Sequence, residues 1–139
     1  MIILDANVVS EPMRSRADPK VTAWLDRQAA DTLYLTATSL SELLVAVELL
    51  PAGRRRDGLA GALAEILASL FGTRILPFDE RAAVAYAALV GRARATGRPL
   101  SVGDGQIAAI ASVHGFAVAT REVAPFTAAD LTVIDPWNP

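Results

Sequence analysis

Met1-Ile-Ile-Leu-Asp5-Ala-Asn7 opens the chain. Ile2–Leu4 is short, mostly β-branched and uniformly apolar, the composition of a strand buried on both faces. Such a strand belongs to a parallel sheet with helices above and below it. Asp5 then stands at the strand's carboxyl end, where open α/β sheets bind ligands. The run Phe116-Ala-Val-Ala119 repeats the pattern and leads into Thr120 and Glu122. Leu33–Thr36 and Arg74–Leu76 read as two further strands, and Leu131–Ile134 as a weak fifth.

The segments between the strands read as helices. Asn7–Met13 is a helical turn or short helix limited by Pro12. Asp18-Pro19 pairs an N-cap acid with proline at the first helical position. That helix should run to about Ala30 and present Val21, Trp24 and Leu25 to the core. Ser39-Leu-Ser-Glu42 matches a capping box, with a helix continuing to Leu50 before Pro51. Arg54-Arg-Arg56 forms a basic turn, and a helix from about Arg55 to Phe71 ends at Gly72. Asp79 caps a helix to about Thr96, closed by Gly97. Asp104–Val113 is a helix with an apolar stripe of Ile107, Ala108 and Ala111 headed by Asp104. Strands alternating with helices imply parallel βαβ units. The expected fold class is α/β, with residues 1–139 forming a single domain and no repeat or linker.

With 139 residues, 53% of them hydrophobic and 20% charged, the chain can bury an ordinary core. A net charge of −2 means that any nucleic acid must be held by a local basic patch. Lys20 is the lone lysine among 13 basic residues. Arginine suits bidentate phosphate contact, although a GC-rich genome produces the same bias. The absence of cysteine excludes disulfides, thiolate catalysis and Cys-zinc sites. One histidine, His114, excludes His-rich metal sites and reads as a cation at a helix end. Asp5 interrupts the first apolar run too early for a signal peptide, and no segment reaches transmembrane length. A cytoplasmic protein without a membrane partner is expected.

Four carboxylates stand at element ends: Asp5, Glu42, Asp104 and Glu122. The helical neighbours of Glu42 are Val45, Ala46 and Leu49, which turns it towards the core, where a carboxylate needs a partner or an ion. Asp104 is a first-turn acid between Gly103 and Gly105, which leave room for a ligand or another backbone. Glu122 alone reads as a solvated loop residue. Asp18 and Asp79 are caps; Glu11, Glu65 and Glu80 read as solvated faces; Glu48 lies in an apolar helix that could form a subunit interface. If the four acids share one pocket they repel unless cations neutralise them. Oxygen-only ligand sets suit Mg²⁺ or Mn²⁺, the ions of phosphodiester hydrolysis.

Together the segments resemble a PIN-domain ribonuclease, specifically a VapC toxin of the FitB-like branch of type II toxin–antitoxin systems. The carriers are Met1-Ile-Ile-Leu-Asp5-Ala-Asn7-Val-Val-Ser-Glu11, Thr38-Ser-Leu-Ser-Glu42-Leu and Leu76-Pro-Phe-Asp79. Arg98-Pro-Leu-Ser-Val-Gly-Asp104-Gly-Gln-Ile-Ala-Ala-Ile-Ala111, His114-Gly-Phe and Ala119-Thr-Arg-Glu122-Val-Ala-Pro-Phe126 complete them. They occur in family order and spacing over nearly the whole chain. The resemblance implies a PIN-like fold, a mostly parallel central sheet flanked by helices on both faces. It makes Asp5, Glu42 and Asp104 the principal metal-binding acids, with Asn7 and Ser41 supporting them. It makes Thr120 the hydroxyl after the fourth strand and Glu122 the fourth acid.

Three positions depart from the family pattern. Ala6 replaces a threonine, Glu122 replaces Asn or Asp, and Pro125 replaces an aspartate. The implied function is that of an Mg²⁺- or Mn²⁺-dependent endoribonuclease, homodimeric and silenced by a cognate VapB/FitA-like antitoxin. Arg14, Arg54, Arg55, Arg56 and Arg98 are candidates to hold the RNA backbone, each equally at home as solvated charge. The departures leave open a weak or inactive PIN-like module that binds RNA or protein. A phospho-acceptor receiver domain fits poorly, because Asp5 has no adjacent acid and Lys20 comes too early.

Overall fold

The computed structural model describes residues 1–139. Strands β1 (Ile2–Leu4), β2 (Leu33–Thr36), β3 (Ile75–Leu76), β4 (Ala117–Ala119) and β5 (Val133–Ile134) form one sheet. The order is β3-β2-β1-β4-β5 and every pairing is parallel. β1 is therefore the central strand, and its side chains divide between two cores. Leu4 packs with Val8, Val21, Trp24, Leu33, Leu63 and Phe71 on one face. Ile3 packs with Leu89, Ile107, Ile110, Val118 and Phe126 on the other. Full burial of each such side chain is worth about 1.5–3 kcal/mol.

The first face carries α1 (Ala6–Ser10), α2 (Pro19–Asp26), α3 (Ala37–Glu48) and α4 (Arg54–Ile66). The second carries α5 (Glu80–Ala95), α6 (Val102–His114) and α7 (Val123–Ala128). Helices on both faces of a parallel sheet are the architecture that the strand–helix alternation predicts. α6 is apolar around most of its circumference, with Ile107 through Ala111 all buried. A stripe would suit a helix on one surface; α6 instead lies between the sheet and α5, so every side needs apolar contact. A Cβ on Gly105 would come within 2.6 Å of the Tyr86 ring, so glycine lets α6 approach α5 closely.

Several boundaries differ from the sequence expectation. α2 stops at Asp26, because beyond Leu25 no apolar side chain returns to the core; a 3₁₀ turn over Ala30–Thr32 follows. α3 starts straight from β2: the Thr36 hydroxyl accepts the Ser39 N–H at 3.0 Å. The Ser39–Glu42 capping box is thus not used, and Glu42 lies in the helix's second turn. α3 ends at Glu48 and not at Leu50. The helix expected to reach Phe71 does so through a wide π turn over Leu67–Phe71, stopped by Gly72 at φ 55°. Arg74 clamps that turn by donating to the carbonyls of Leu33, Ala30 and Leu70.

Glu11 is not a solvated residue. It is 4% exposed, and it accepts the Asp18 N–H at 3.1 Å and Arg14 at 3.3 Å. The short 3₁₀ turn over Glu11–Met13 rolls it inward, where it holds the loop before α2. Glu48, for which the sequence offered only a subunit interface, is exposed and pairs with Arg56 at 2.9 Å. α7 is six residues long and went unrecognised, because Pro125 sits within it. His114 falls in the last turn of α6 and stacks near Phe116, as a structural histidine should.

Candidate functional site

The crossovers from β1 to β2 to β3 move one way across the sheet, and β4 and β5 lie on the other side of β1. This reversal opens a crevice beyond the carboxyl ends of β1 and β4, the usual ligand position in such sheets. Asp5 directly follows β1 and Thr120 directly follows β4. The Asp5 N–H donates to the Ala119 carbonyl at 2.9 Å, which holds the two strand ends in register.

Asp5 is 5% exposed. One carboxylate oxygen accepts the Ala6 N–H at 2.8 Å, so Asp5 also caps α1. The other accepts the Thr120 hydroxyl at 2.8 Å and, more weakly, the Asn7 amide at 3.4 Å. Thr120 Oγ1 in turn accepts the Glu122 N–H at 3.0 Å, and Asn7 Oδ1 accepts the Arg121 N–H at 3.4 Å. Asn7 and Thr120 are thus the two clasps between the loops after β1 and β4. Ala6 needs no hydroxyl for this, since its backbone makes the bond.

The acids act on one another. Burial pushes the Asp5 carboxyl above its ordinary value; the bonds from Thr120 and Ala6 oppose that, and the charge on Asp104 adds to it. Glu42, on the solvent side of α3, is raised by partial desolvation and then by Asp5, Asp104 and Glu122. Glu122 is raised first by the charge on Asp104, then by desolvation and by Asp5. A Cβ on Gly103 would come within 3.1 Å of Glu42 Oε1, so Gly103 makes way for that carboxylate. All four acids therefore border one space. The expectation that Val45, Ala46 and Leu49 turn Glu42 inward does not hold: Val45 is 53% and Leu49 79% exposed.

No three of these side chains converge tightly enough to enclose an ion by themselves. An all-oxygen set with room for water still fits Mg²⁺, which dehydrates reluctantly and usually keeps several waters. The Ser41 hydroxyl donates to the Thr38 carbonyl of its own helix, 2.6 Å away. The residue pair that does brace the acids is Thr38, whose hydroxyl donates to Gln106 Oε1 at 2.8 Å and ties α3 to α6. Sequence reading missed it, since neither residue carries a pattern beyond its nearness to Glu42 and Asp104. Among the arginines, Arg14 and Arg56 are engaged with Glu11 and Glu48. Arg54 and Arg55 are exposed at the start of α4, and Arg98 shares a cleft with Asp104.

Residues 2–129 match the model of the PIN domain family. The chain belongs to the PIN-domain family. It is 46% identical over 140 residues to the VapC ribonuclease Y4jK of Sinorhizobium fredii, covering 100% of this chain and 99% of that one. It is 42% identical to the toxin FitB of Neisseria gonorrhoeae over 138 residues, 99% of each chain. It is 45% identical to the plasmid stability protein StbB of Pseudomonas syringae pv. tomato, again over 99% of each. The crystal structure of FitAcB from Neisseria gonorrhoeae superposes with a TM-score of 0.95 at 42% identity, covering 100% of both chains. VapBC-1 from nontypeable Haemophilus influenzae, at 21% identity and a TM-score of 0.79 over 100% of both chains, shares the fold.

The raised carboxyls of this PIN domain predict a pH response. An acid whose folded pKa exceeds its unfolded value adds stability below the unfolded value, and that stability is lost as pH rises through the folded one. In EDTA, the contribution of Asp5, Glu42 and Glu122 should therefore fall, lowering Tm, as pH rises above the ordinary carboxylate range. Mn²⁺ at the upper pH should restore Tm in wild type and not in Asp5→Asn/Asp104→Asn. Equal Mn²⁺ shifts in the two proteins, by scanning calorimetry, would contradict a shared site.

Proposed function

We propose that this PIN-domain protein is the toxin of a type II toxin–antitoxin pair, an endoribonuclease that hydrolyses RNA phosphodiester bonds with Mg²⁺ or Mn²⁺. The observation that carries the reading is the four-acid crevice at the switch point, where the charge of Asp104 helps to raise Asp5, Glu42 and Glu122 and the charge of Asp5 helps to raise Glu42 and Glu122. Names among the relatives, a VapC ribonuclease and a toxin, agree with it. Asp5, Glu42 and Asp104 would hold the ion directly or through water, with Glu122 as the outer acid. The ion supplies neutralising charge for the phosphate and a lowered pKa for water. Thr120 orients the Asp5 carboxylate and holds it charged; a hydrogen bond to a charged group is worth about 1.5–3 kcal/mol. Glu122, lengthened by one methylene and close to Asp104, orients water. A catalytically silent PIN module remains the second reading, favoured by the loose spacing of the acids.

Partners follow from the surface. Leu44 and Val45 on α3, Leu49 just beyond its end, Val84 on α5 and Val102 on α6 are each at least half exposed. α6 packs against both α3 and α5, so these residues belong to neighbouring elements. Apolar patches of this kind mark association surfaces, and we assign this one to a homodimer. FitB relatives are solved as FitAB complexes. An antitoxin of that kind, offering an arginine or lysine to the acidic crevice, would displace the cation. No helix of the structure is long and apolar enough to cross a membrane; the cytoplasm is the proposed compartment.

Purified wild type with Mn²⁺ should cleave RNA, and Asp104→Ala should be at least about a hundredfold slower while keeping its circular dichroism. Equal rates would remove the nuclease reading. Sedimentation should show a dimer at micromolar concentration, shifted to monomer by Leu49→Glu/Val84→Glu; a monomeric wild type would contradict the assigned interface.

A further inference from the structure

A cleft of about 580 Å³ opens beside the acids, between the end of α5, the loop before α6 and the outer face of α7. Its size lies in the roughly 300–1,000 Å³ range of sites that enclose small ligands. Leu89, Leu100 and Pro125 give it apolar walls, and Arg92 and Arg98 stand on it. Asp104 lines the cleft and is also one of the four acids. The cleft is therefore continuous with the place where the phosphodiester must lie.

Its charges divide unequally. Arg92 is held 3.6 Å from Asp130, across the cleft's outer end. Arg98 forms none of the ion pairs in the molecule, and it sits in the loop before α6, lining the same cleft as Asp104. A cation without a partner, next to apolar walls, next to a phosphodiester site, suits one ligand: an unstacked nucleotide. Proteins that read single-stranded RNA place splayed bases against apolar or aromatic side chains and guanidinium planes. Flipped bases likewise enter pockets lined by such groups.

We propose that this cleft receives the base of one nucleotide adjoining the scissile bond, while Arg98 holds a neighbouring phosphate. The inference rests on the nuclease reading and deepens it: the substrate is single-stranded at that position, and the cleft is a specificity subsite. Arg98, among the five candidate arginines, is the one placed to contact substrate. Ala128, exposed in the last turn of α7, lines the same cleft, so a larger side chain there fills the cleft without entering the core.

The test uses an RNA oligonucleotide with one mapped cleavage site, and versions made abasic at the nucleotide on either side of it. With Mn²⁺, one of the two abasic substrates should lose more than tenfold in kcat/KM. Ala128→Trp should slow the intact substrate to the abasic rate and erase the difference. Arg98→Gln should weaken binding of the intact oligonucleotide in EDTA and lower its salt slope by about 1. A folded Ala128→Trp that keeps the wild-type rate and the wild-type discrimination would overturn the proposal. So would an Ala128→Trp defect confined to binding of the inhibitor protein, which would give the cleft to the antitoxin. If wild type cleaves no faster than Asp104→Ala, the nuclease reading fails. The subsite is then decided by binding in EDTA, because equal affinity of wild type and Ala128→Trp for an intact single-stranded oligonucleotide would remove it.

Discussion

A buried, ionisable side chain at the centre of a parallel sheet is the constraint on which this molecule depends. Asp5 leaves β1 where the sheet's crossovers reverse direction, and it is almost wholly enclosed. Burial disfavours its charge. Three donors from both sides of the crevice, Ala6, Asn7 and Thr120, keep that charge affordable. The same bonds tie the start of α1 to the loop after β4, so the fold and the site are held by one set of contacts. Asp104 and Glu42 reach the crevice from α6 and α3, which Thr38 and Gln106 lock together.

That arrangement holds charge in an unfavourable place. Asp5, Glu42 and Glu122 each resist ionisation, and each is made worse by its neighbours. A protein selected for stability alone would separate these acids or replace one with an amide. Their retention in one crevice makes sense when a divalent cation, a basic side chain of an inhibitor, or both are expected there. Carboxyls shifted in the same direction and gathered in one crevice mark functional sites more often than chance.

Much of this was legible in the residues. β1 and β2 fall where their β-branched or apolar runs place them, and Asp79 caps α5 as read. Strand-end acids are visible because a parallel sheet puts strand ends together. What could not be read was inward or outward rotation of short elements. Glu11 looked solvated and is buried, because a 3₁₀ turn has a different period from an α-helix. Glu42 looked inward-facing and lies to the solvent side, because the apolar residues on its face, Val45 and Leu49, are themselves exposed. The Thr38–Gln106 bond spans 68 positions and has no local signature.

The chemistry of cleavage tests the central claim most directly. The crevice offers carboxylates that would hold a divalent ion through water, and His114 lies at the far end of α6 from Asp104. A divalent ion held by Asp5, Glu42 and Asp104 would supply a water of lowered pKa as the nucleophile, with the 3′-oxygen as the leaving group. RNA cut by the wild-type protein in Mn²⁺ should carry 5′-phosphate and 3′-hydroxyl ends, and both should vanish with Asp104→Asn. Products ending in 2′,3′-cyclic phosphate, or unchanged products from Asp104→Asn, would contradict a metal-centred hydrolysis at these acids.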